Sequence, residues 1–278
     1  MTFGSRLSDS VAARGRLCVG IDPHPALLDQ WGLTDSLFGL ERFALTAVEA
    51  LASAAAVVKP QSAFFERHGS GGIAVLERVI EGCRELGALV LLDVKRGDIG
   101  STVQAYADAY LSQGSPLAAD AVTASPFLGV GSLDPLVETA LANDAGVFLL
   151  ALTSNSEGPQ VQHAVTPGGR TVAAEVLEAV AARNAGSDGF GSVGAVVGAT
   201  IERPDDVGPE QLDVNGPLLV PGIGAQGGTV DDVRRIFGAA ARHVLPSTSR
   251  EILGAGPDKV ALHDAARRAA DSFATLSP

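Results

Sequence analysis

A lysine flanked by aspartates follows directly on an apolar run of this 278-residue chain. The run Ala88–Leu92 leads into Asp93, Lys95 and Asp98, which form the pattern D-x-K-x-x-D. In an extended segment Asp93 and Lys95 point to the same side. A lysine ringed by these carboxylates and by Asp22 stays protonated, because opposite charges favour the charged form. Such a lysine is a poor Schiff-base nucleophile but a suitable proton donor to a carbanion.

On its own this spacing is a weak signal, because charged residues are common on solvated surfaces. Its position is more informative than its spacing. Of the 20 basic residues only Lys59, Lys95 and Lys259 are lysines. Lys59 follows the apolar run Ala55–Val58, so two of the three lysines follow predicted strands. Unlike arginine, a partly buried lysine can give up its proton, which makes the position of each lysine worth establishing.

A glycine-rich segment follows the seventh apolar run and precedes a predicted helix. Gly222, Gly224 and Gly227 match G-x-G-x-x-G, which also occurs in dinucleotide-binding folds. No acidic residue ends a strand about 20 residues further on, which argues against that interpretation. The segment instead favours a backbone nest for a phosphate, with Arg250 as a charged clamp. The alternative is a tight turn and a surface arginine.

The elements that must position these residues are eight apolar runs separated by amphipathic stretches. Runs that are apolar throughout are typical of strands buried on both faces of a parallel sheet. The predicted strands are Leu17–Ile21, Ala55–Val58, Ala88–Leu92, Ala121–Ala124, Val147–Leu152, Val193–Val197, Leu218–Val220 and His243–Leu245. Apolar residues at three- and four-residue spacing predict helices at Leu40–Ser53, Gly72–Leu86, Ser101–Ser112, Leu133–Asn143, Thr171–Arg183, Val230–Ala240 and Val260–Phe273.

Strand and helix alternating eight times, with no break in composition, predict an α/β fold, a single (β/α)8 TIM barrel over residues 1–278. A doubly wound open sheet with fewer strands is the alternative. Segments 23–39 and 155–169 are interpreted as long βα loops. The active site of a barrel lies where strands end and βα loops begin. Asp22, Lys59 and Asp93 all follow strands, so we expect them at one mouth.

The composition of the chain excludes some classes of binding partner. Twenty Lys and Arg against 32 Asp and Glu give a net charge of −12, which argues against nucleic acid and anionic membranes. No apolar run is long enough to span a membrane, and no signal peptide is recognised. Cys18 and Cys83 lack C-x-x-C spacing, which indicates a reducing, cytoplasmic location. No His or Cys spacing suits a metal. The residues alone therefore predict an enzyme for a small phosphorylated substrate.

With the strand ends aligned, the chain resembles the orotidine 5′-phosphate decarboxylase family, in its longer bacterial branch. The strongest element is LLDVKRGDIGST, which matches the family pattern D-x-K-x-x-D-I-x-x-T. Weaker elements follow in the family's order, and the resemblance spans about Ser5 to Phe273. These elements are Gly20–Asp22, Val58–Pro60, Leu152–Ser154, Val197–Thr200, Pro221–Gly228 and Ser247–Arg250.

The resemblance implies decarboxylation of orotidine 5′-monophosphate to UMP in de novo pyrimidine biosynthesis, without a cofactor or metal. It implies that Lys95 protonates C6 of the pyrimidine and that Asp93 lies beside the reacting carboxylate. The resemblance implies that Asp22 and Lys59 bind the ribose, that Ser154 faces the base, and that Gln226 and Arg250 bind the phosphate. Pro221 is a further substrate-binding residue. A homodimer with shared active sites is also implied, to which each subunit contributes Asp98, Ile99 and Thr102 across the interface.

Two other functions remain open from the sequence. Related barrels that act on sugar phosphates share a D-x-K strand but need a divalent metal, and their motif lacks the Asp98-Ile99 pair present here. A non-catalytic nucleotide-binding regulator is the third hypothesis. The charged set argues against it, because a binder does not need a lysine beside two aspartates, which is costly to bury. The strand-eight end, STSR, departs from the glycine-rich turn of the family.

Overall fold

Eight parallel strands close into a barrel in the computed structural model, which describes residues 1–224 and 227–276. Each strand pairs with the next along the chain, and β8 returns to pair with β1. The strands are β1 Cys18–Ile21, β2 Val57–Pro60, β3 Leu89–Arg96, β4 Ala121–Ala124, β5 Gly146–Leu152, β6 Val193–Val197, β7 Leu218–Pro221 and β8 Val244–Thr248. The predicted TIM barrel is therefore confirmed, and the open sheet is wrong.

Helices surround the barrel and bury their apolar faces against it. They are α1 Phe3–Arg14, α2 Pro25–Gln30, α3 Leu37–Leu51, α4 Ala63–Glu66, α5 Gly69–Glu85, α6 Gly100–Leu111, α7 Asp134–Ala142, α8 Pro159–Gln162, α9 Val172–Asn184, α10 Val230–Phe237, α11 Arg250–Leu253 and α12 Lys259–Phe273. All seven predicted helices are present. Thr229 begins α10 with a capping box to Asp232, as its spacing indicates.

The eightfold alternation fails at one unit. Residues 198–217, between β6 and β7, contain neither helix nor strand. Pro204, Pro209 and Pro217 lie in this segment, and each lacks the amide proton that a helix interior needs. The segment is nevertheless anchored, since the Asp206 carboxylate accepts hydrogen bonds from the backbone and hydroxyl of Thr171 at the start of α9.

The two segments interpreted as long loops also contain regular structure. Segment 23–39 includes α2 and the first turn of α3, and Pro25 stands at the first turn of α2, where its missing N–H costs little. Trp31, just after α2, donates from Nε1 to the Leu253 carbonyl at 2.9 Å. Segment 155–169 includes α8. Both segments leave the carboxyl ends of strands and so border the barrel mouth.

The opposite, amino-terminal end of the barrel is closed by α1, a helix that is not among the seven predicted ones. Phe3 and Leu7 are each 1% exposed, and the Phe3 ring meets Phe148 of β5 edge to face, with centroids 6.1 Å apart. Thr2 caps the helix by accepting from the Ser5 amide. These side chains continue the apolar filling of the lower barrel and form a packed floor beneath the sheet.

Both cysteines lie in the buried interior and are free thiols. Burial raises the pKa of Cys18 and of Cys83 to about 12, so neither is a thiolate near neutral pH. They pack as small apolar side chains. Among the described residues, no helix is both long and apolar enough to cross a membrane.

Candidate active site

A cavity of about 570 Å³ opens at the carboxyl ends of the strands. It is walled by residues from strand ends and from the loops that follow them, as expected for a barrel. Seven of the residues selected from the sequence line it: Asp22, Lys59, Asp93, Lys95, Ser154, Pro221 and Arg250. The structure therefore gathers into one site side chains that are far apart along the chain.

Asp93 lies at the centre of the charged part of this cavity. One carboxylate oxygen, Oδ2, accepts from Lys59 Nζ at 2.8 Å. The other, Oδ1, accepts from Lys95 Nζ at 2.6 Å and from the Thr123 hydroxyl at 2.8 Å. Burial would raise the pKa of Asp93, but the two ammonium groups outweigh burial and hold that pKa well below its ordinary value. Asp93 is consequently ionised at neutral pH.

The two lysines on Asp93 differ in their surroundings. The Lys59 side chain is 8% exposed, whereas the Lys95 side chain is 45% exposed towards the cavity. Burial would lower the pKa of Lys59, but Asp93 and Asp22 more than offset it, so the pKa stays above its ordinary value. Lys59 is thus a fixed buried cation, while the Lys95 ammonium is accessible to a ligand.

The backbone at Lys95 is not the regular extended strand that the apolar run predicts. Its φ is +46°, a conformation that costs a residue with a side chain about 1–2 kcal/mol. The pairing of β3 with β4 shifts here: Leu92 faces Val122, but Arg96 faces Ala124. The two side chains still meet, as predicted, although they do so through an irregular strand end rather than through simple alternation.

Three buried oxygens in this region have no hydrogen-bond partner among the described residues. They are Asp22 Oδ1, Thr248 Oγ1 and Ser249 Oγ, all from residues that line the cavity. Buried polar atoms are nearly always satisfied, so unsatisfied atoms on residues that line a cavity are groups whose hydrogen-bond partner a polar ligand could supply. Asp22 was selected from the sequence. Thr248 and Ser249 were noted only as part of the motif that ends at Arg250.

The glycine-rich segment after β7 does not form the predicted anion nest at three of its amides. Gly222, Gly224 and Gly227 all have positive φ, as a tight turn requires. The amides of Gly224, Gly227 and Gly228 donate to carbonyls within the segment itself, at 2.8–3.0 Å. The nest prediction is therefore wrong for these amides. Gln226, also predicted to bind phosphate, lies outside the described residues.

The three residues assigned to a dimer interface lie outside the cavity of their own chain. Asp98 and Ile99 precede α6, and Thr102 is in its first turn. The Asp98 carboxylate accepts from the Ile99 amide at 2.8 Å, and within the described chain it forms no ion pair with Lys95. Ile99 is 61% exposed. The described residues also contain no group of three His, Cys, Asp or Glu arranged for a metal.

Known proteins resemble this chain over nearly its whole length. Residues 15–265 match the model of the orotidine 5′-phosphate decarboxylase / HUMPS family. The chain is 60% identical to an orotidine 5′-phosphate decarboxylase of Salinispora arenicola over 99% of both chains. It is 65% identical to one of Nocardioides over 90% of this chain and 91% of the relative. A crystal structure from Streptomyces avermitilis, 56% identical, superimposes with a TM-score of 0.94 over 99% of this chain and 95% of that chain. The chain therefore belongs to the orotidine 5′-phosphate decarboxylase / HUMPS family.

Proposed function

We propose that the protein converts orotidine 5′-monophosphate to UMP and CO₂ in de novo pyrimidine biosynthesis, as a carboxy-lyase without a cofactor. The observation that carries this proposal is the Asp93 carboxylate held between two lysines at the wall of the barrel cavity. The relatives that share 60–65% of their residues with this chain bear the name of that decarboxylase.

In the proposed reaction, the C–C bond to the substrate carboxylate breaks and its electron pair stays on C6. CO₂ is released in this step, and Lys95 Nζ then donates a proton to C6, which leaves Lys95 as a neutral amine. The accessible ammonium of Lys95 stabilises the developing negative charge before it transfers the proton, since preorganised charge is most effective in a water-poor site. Asp93 orients Lys95 and lies beside the departing carboxylate.

The remaining cavity residues bind the nucleotide in this proposal. Asp22 and Lys59 bind the ribose hydroxyls, supported by the unsatisfied Asp22 oxygen. Ser154 faces the pyrimidine amide edge. Pro221, Gln226 and Arg250 form the phosphate side, together with the buried hydroxyls next to Arg250. Binding energy from the phosphate, which lies far from the reacting bond, drives closure and organises the charged cluster.

The proposal includes a homodimer in which Asp98, Ile99 and Thr102 of each subunit complete the partner's site. Its support is that these residues do not line their own cavity, and that Ile99 exposes an apolar side chain beside a carboxylate. A cytoplasmic location belongs to the proposal as well, on the basis of the two free thiols.

The test of the reaction is to incubate the purified protein with orotidine 5′-monophosphate and EDTA and to follow the pyrimidine absorbance. We expect turnover under these conditions. Absence of turnover, with the protein folded by circular dichroism, would reject the proposal. Turnover that begins only after Mg²⁺ is added would reject the cofactor-independent reaction and favour a metal-dependent one, as in the related barrels.

Mixing two inactive variants tests whether sites are shared. A dimer of one Lys95→Ala and one Asp98→Ala subunit has both defects in one site and none in the other. Random exchange makes about half the dimers mixed, so about a quarter of wild-type activity should return. The unmixed variants are the controls. A mixture as inactive as they are, with subunit exchange verified by mass, would show that each chain is self-sufficient.

A further inference from the structure

We propose that Thr123 is the positioning residue for the proposed proton donor, because its hydroxyl ties the Lys95 backbone to the Asp93 carboxylate. Thr123 lies on β4, is 1% exposed and belongs to the cavity wall. The inference rests on the proposed decarboxylase function and adds a residue to it that carries no charge and does no chemistry itself.

The hydrogen-bond directions at Thr123 are fixed by its partners. The Lys95 backbone N–H can only donate, so the Thr123 oxygen accepts from it, at 2.9 Å. The ionised Asp93 carboxylate can only accept, so the same hydroxyl donates to Asp93 Oδ1, at 2.8 Å. One atom therefore links the main chain of the proposed acid to the carboxylate that binds its ammonium group.

This link lies where the pairing of β3 with β4 is irregular. Lys95 has a positive φ within the register shift between β3 and β4, so its main chain is held in a conformation that it would not adopt alone. The next backbone contact comes after Lys95: the amide of Ser125, the residue that follows β4, donates to the Arg96 carbonyl. Thr123 thus supplies a side-chain acceptor for the Lys95 amide within the irregular part of the ladder.

The consequence concerns the direction of the ammonium group. The Lys95 side chain is flexible and 45% exposed, so the position of Nζ depends on its backbone and on Asp93. Valine has the shape of threonine but neither donates nor accepts a hydrogen bond. In Thr123→Val the Lys95 amide and Asp93 Oδ1 each lose a partner, and both ends of the link are released. Lys59 still holds the other oxygen of Asp93.

The experiment compares Thr123→Val with Thr123→Ser, which keeps the hydroxyl. We expect Thr123→Val to lower kcat about 100-fold, as a misplacement of about 1 Å does, with KM and the affinity for UMP little changed. Thr123→Ser should recover most of the lost kcat. A purely structural role would instead lower Tm and leave kcat per folded enzyme intact.

Thr171→Val is the matched control, because Thr171 is also buried and its hydroxyl also makes two hydrogen bonds, to Asp206 and the Ala174 amide. It should lower Tm without lowering kcat. If Thr123→Val does not fold, Thr123→Ala removes the same hydroxyl and is judged by the same measurements. A kcat near wild type in the folded variant would overturn this inference while leaving the proposed function intact. An inactive wild-type protein would reject the function itself.

Discussion

The two ends of the barrel differ in the polarity of their buried side chains. At the floor, Phe3 and Leu7 of α1 pack on Phe148 and other buried apolar side chains. At the mouth, Asp93 and Lys59 are buried as ions, and the hydroxyls of Thr248 and Ser249 have no hydrogen-bond partner among the residues that the structure describes. Burial of apolar surface favours folding, whereas burial of ions and unsatisfied polar atoms costs free energy. The comparison indicates that the floor stabilises the fold and that the mouth is maintained for binding and chemistry.

The largest effect on activity without an effect on stability is expected at Lys95. Lys95→Ala removes the proposed proton donor and its stabilising charge, so kcat should fall by about 10⁴-fold or more. Because this side chain is half-exposed, the free energy of unfolding should change little. Steady-state kinetics and urea unfolding on the same preparation measure both. Substantial residual activity would contradict the role of Lys95 as the acid.

At the floor, Phe3→Ala is expected to have the opposite effect, a loss of stability without a loss of activity. Removing a buried phenyl ring that is 1% exposed should lower the free energy of unfolding by about 4 kcal/mol, with kcat unchanged at temperatures where the protein is folded. Phe38→Ala is the control, since Phe38 is 69% exposed and should cost little. Equal destabilisation by both variants would show that α1 does not close the barrel.

Asp93→Asn is expected to affect stability as well as activity, in contrast to the other mouth residues. It leaves Lys59 as a buried cation whose remaining carboxylate neighbour, within the described part of the chain, is Asp22, which should cost about 3 kcal/mol of stability. Asp231→Asn, at an exposed ion pair, is the control and should cost almost nothing. If both variants unfold at the same urea concentration as the wild type, the charged cluster does not contribute to the free energy of unfolding.

The same carboxylate should give an acid-dependent loss of stability. The pKa of Asp93 is well below 3.8 in the folded protein and ordinary in the unfolded chain, so the unfolded state binds the proton first as the pH falls. The stabilisation is therefore complete above about pH 4 and is lost progressively below it. Urea unfolding between pH 5 and pH 3 should show a steeper decline for the wild type than for Asp93→Asn. Parallel curves would contradict this expectation.

The smallest effect is expected at the rim of the mouth. Arg250→Ala removes the charged clamp proposed for the phosphate and should raise KM about 10- to 100-fold, since a hydrogen bond to a charged group contributes about 1.5–3 kcal/mol. Stability should not change, because Arg250 is exposed. Arg268→Ala, an exposed arginine of α12, is the control. An unchanged KM would remove Arg250 from the phosphate side.

Patterns along the chain predicted the barrel well, because parallel strands buried on both faces leave continuous apolar runs. They missed α1, where only Phe3, Leu7 and Val11 recur at four-residue spacing among polar residues. The strand-end rule located Asp22, Lys59 and Asp93. The positive φ of Lys95 was beyond the reach of sequence patterns, because it depends on pairing with β4. Thr123 was overlooked, although a polar residue in the apolar run Ala121–Ala124 was the available signal.

The packed floor also determines the route by which molecules pass through the barrel. With α1 plugging the lower end, the interior is a dead-end chamber rather than a through-channel. In the proposed reaction, substrate, CO₂ and UMP must therefore all use the one mouth. CO₂ and UMP therefore leave through the same opening, and CO₂ leaves either past the bound UMP or after UMP has dissociated. A side chain that narrows the mouth would therefore slow the binding of substrate and the release of both products.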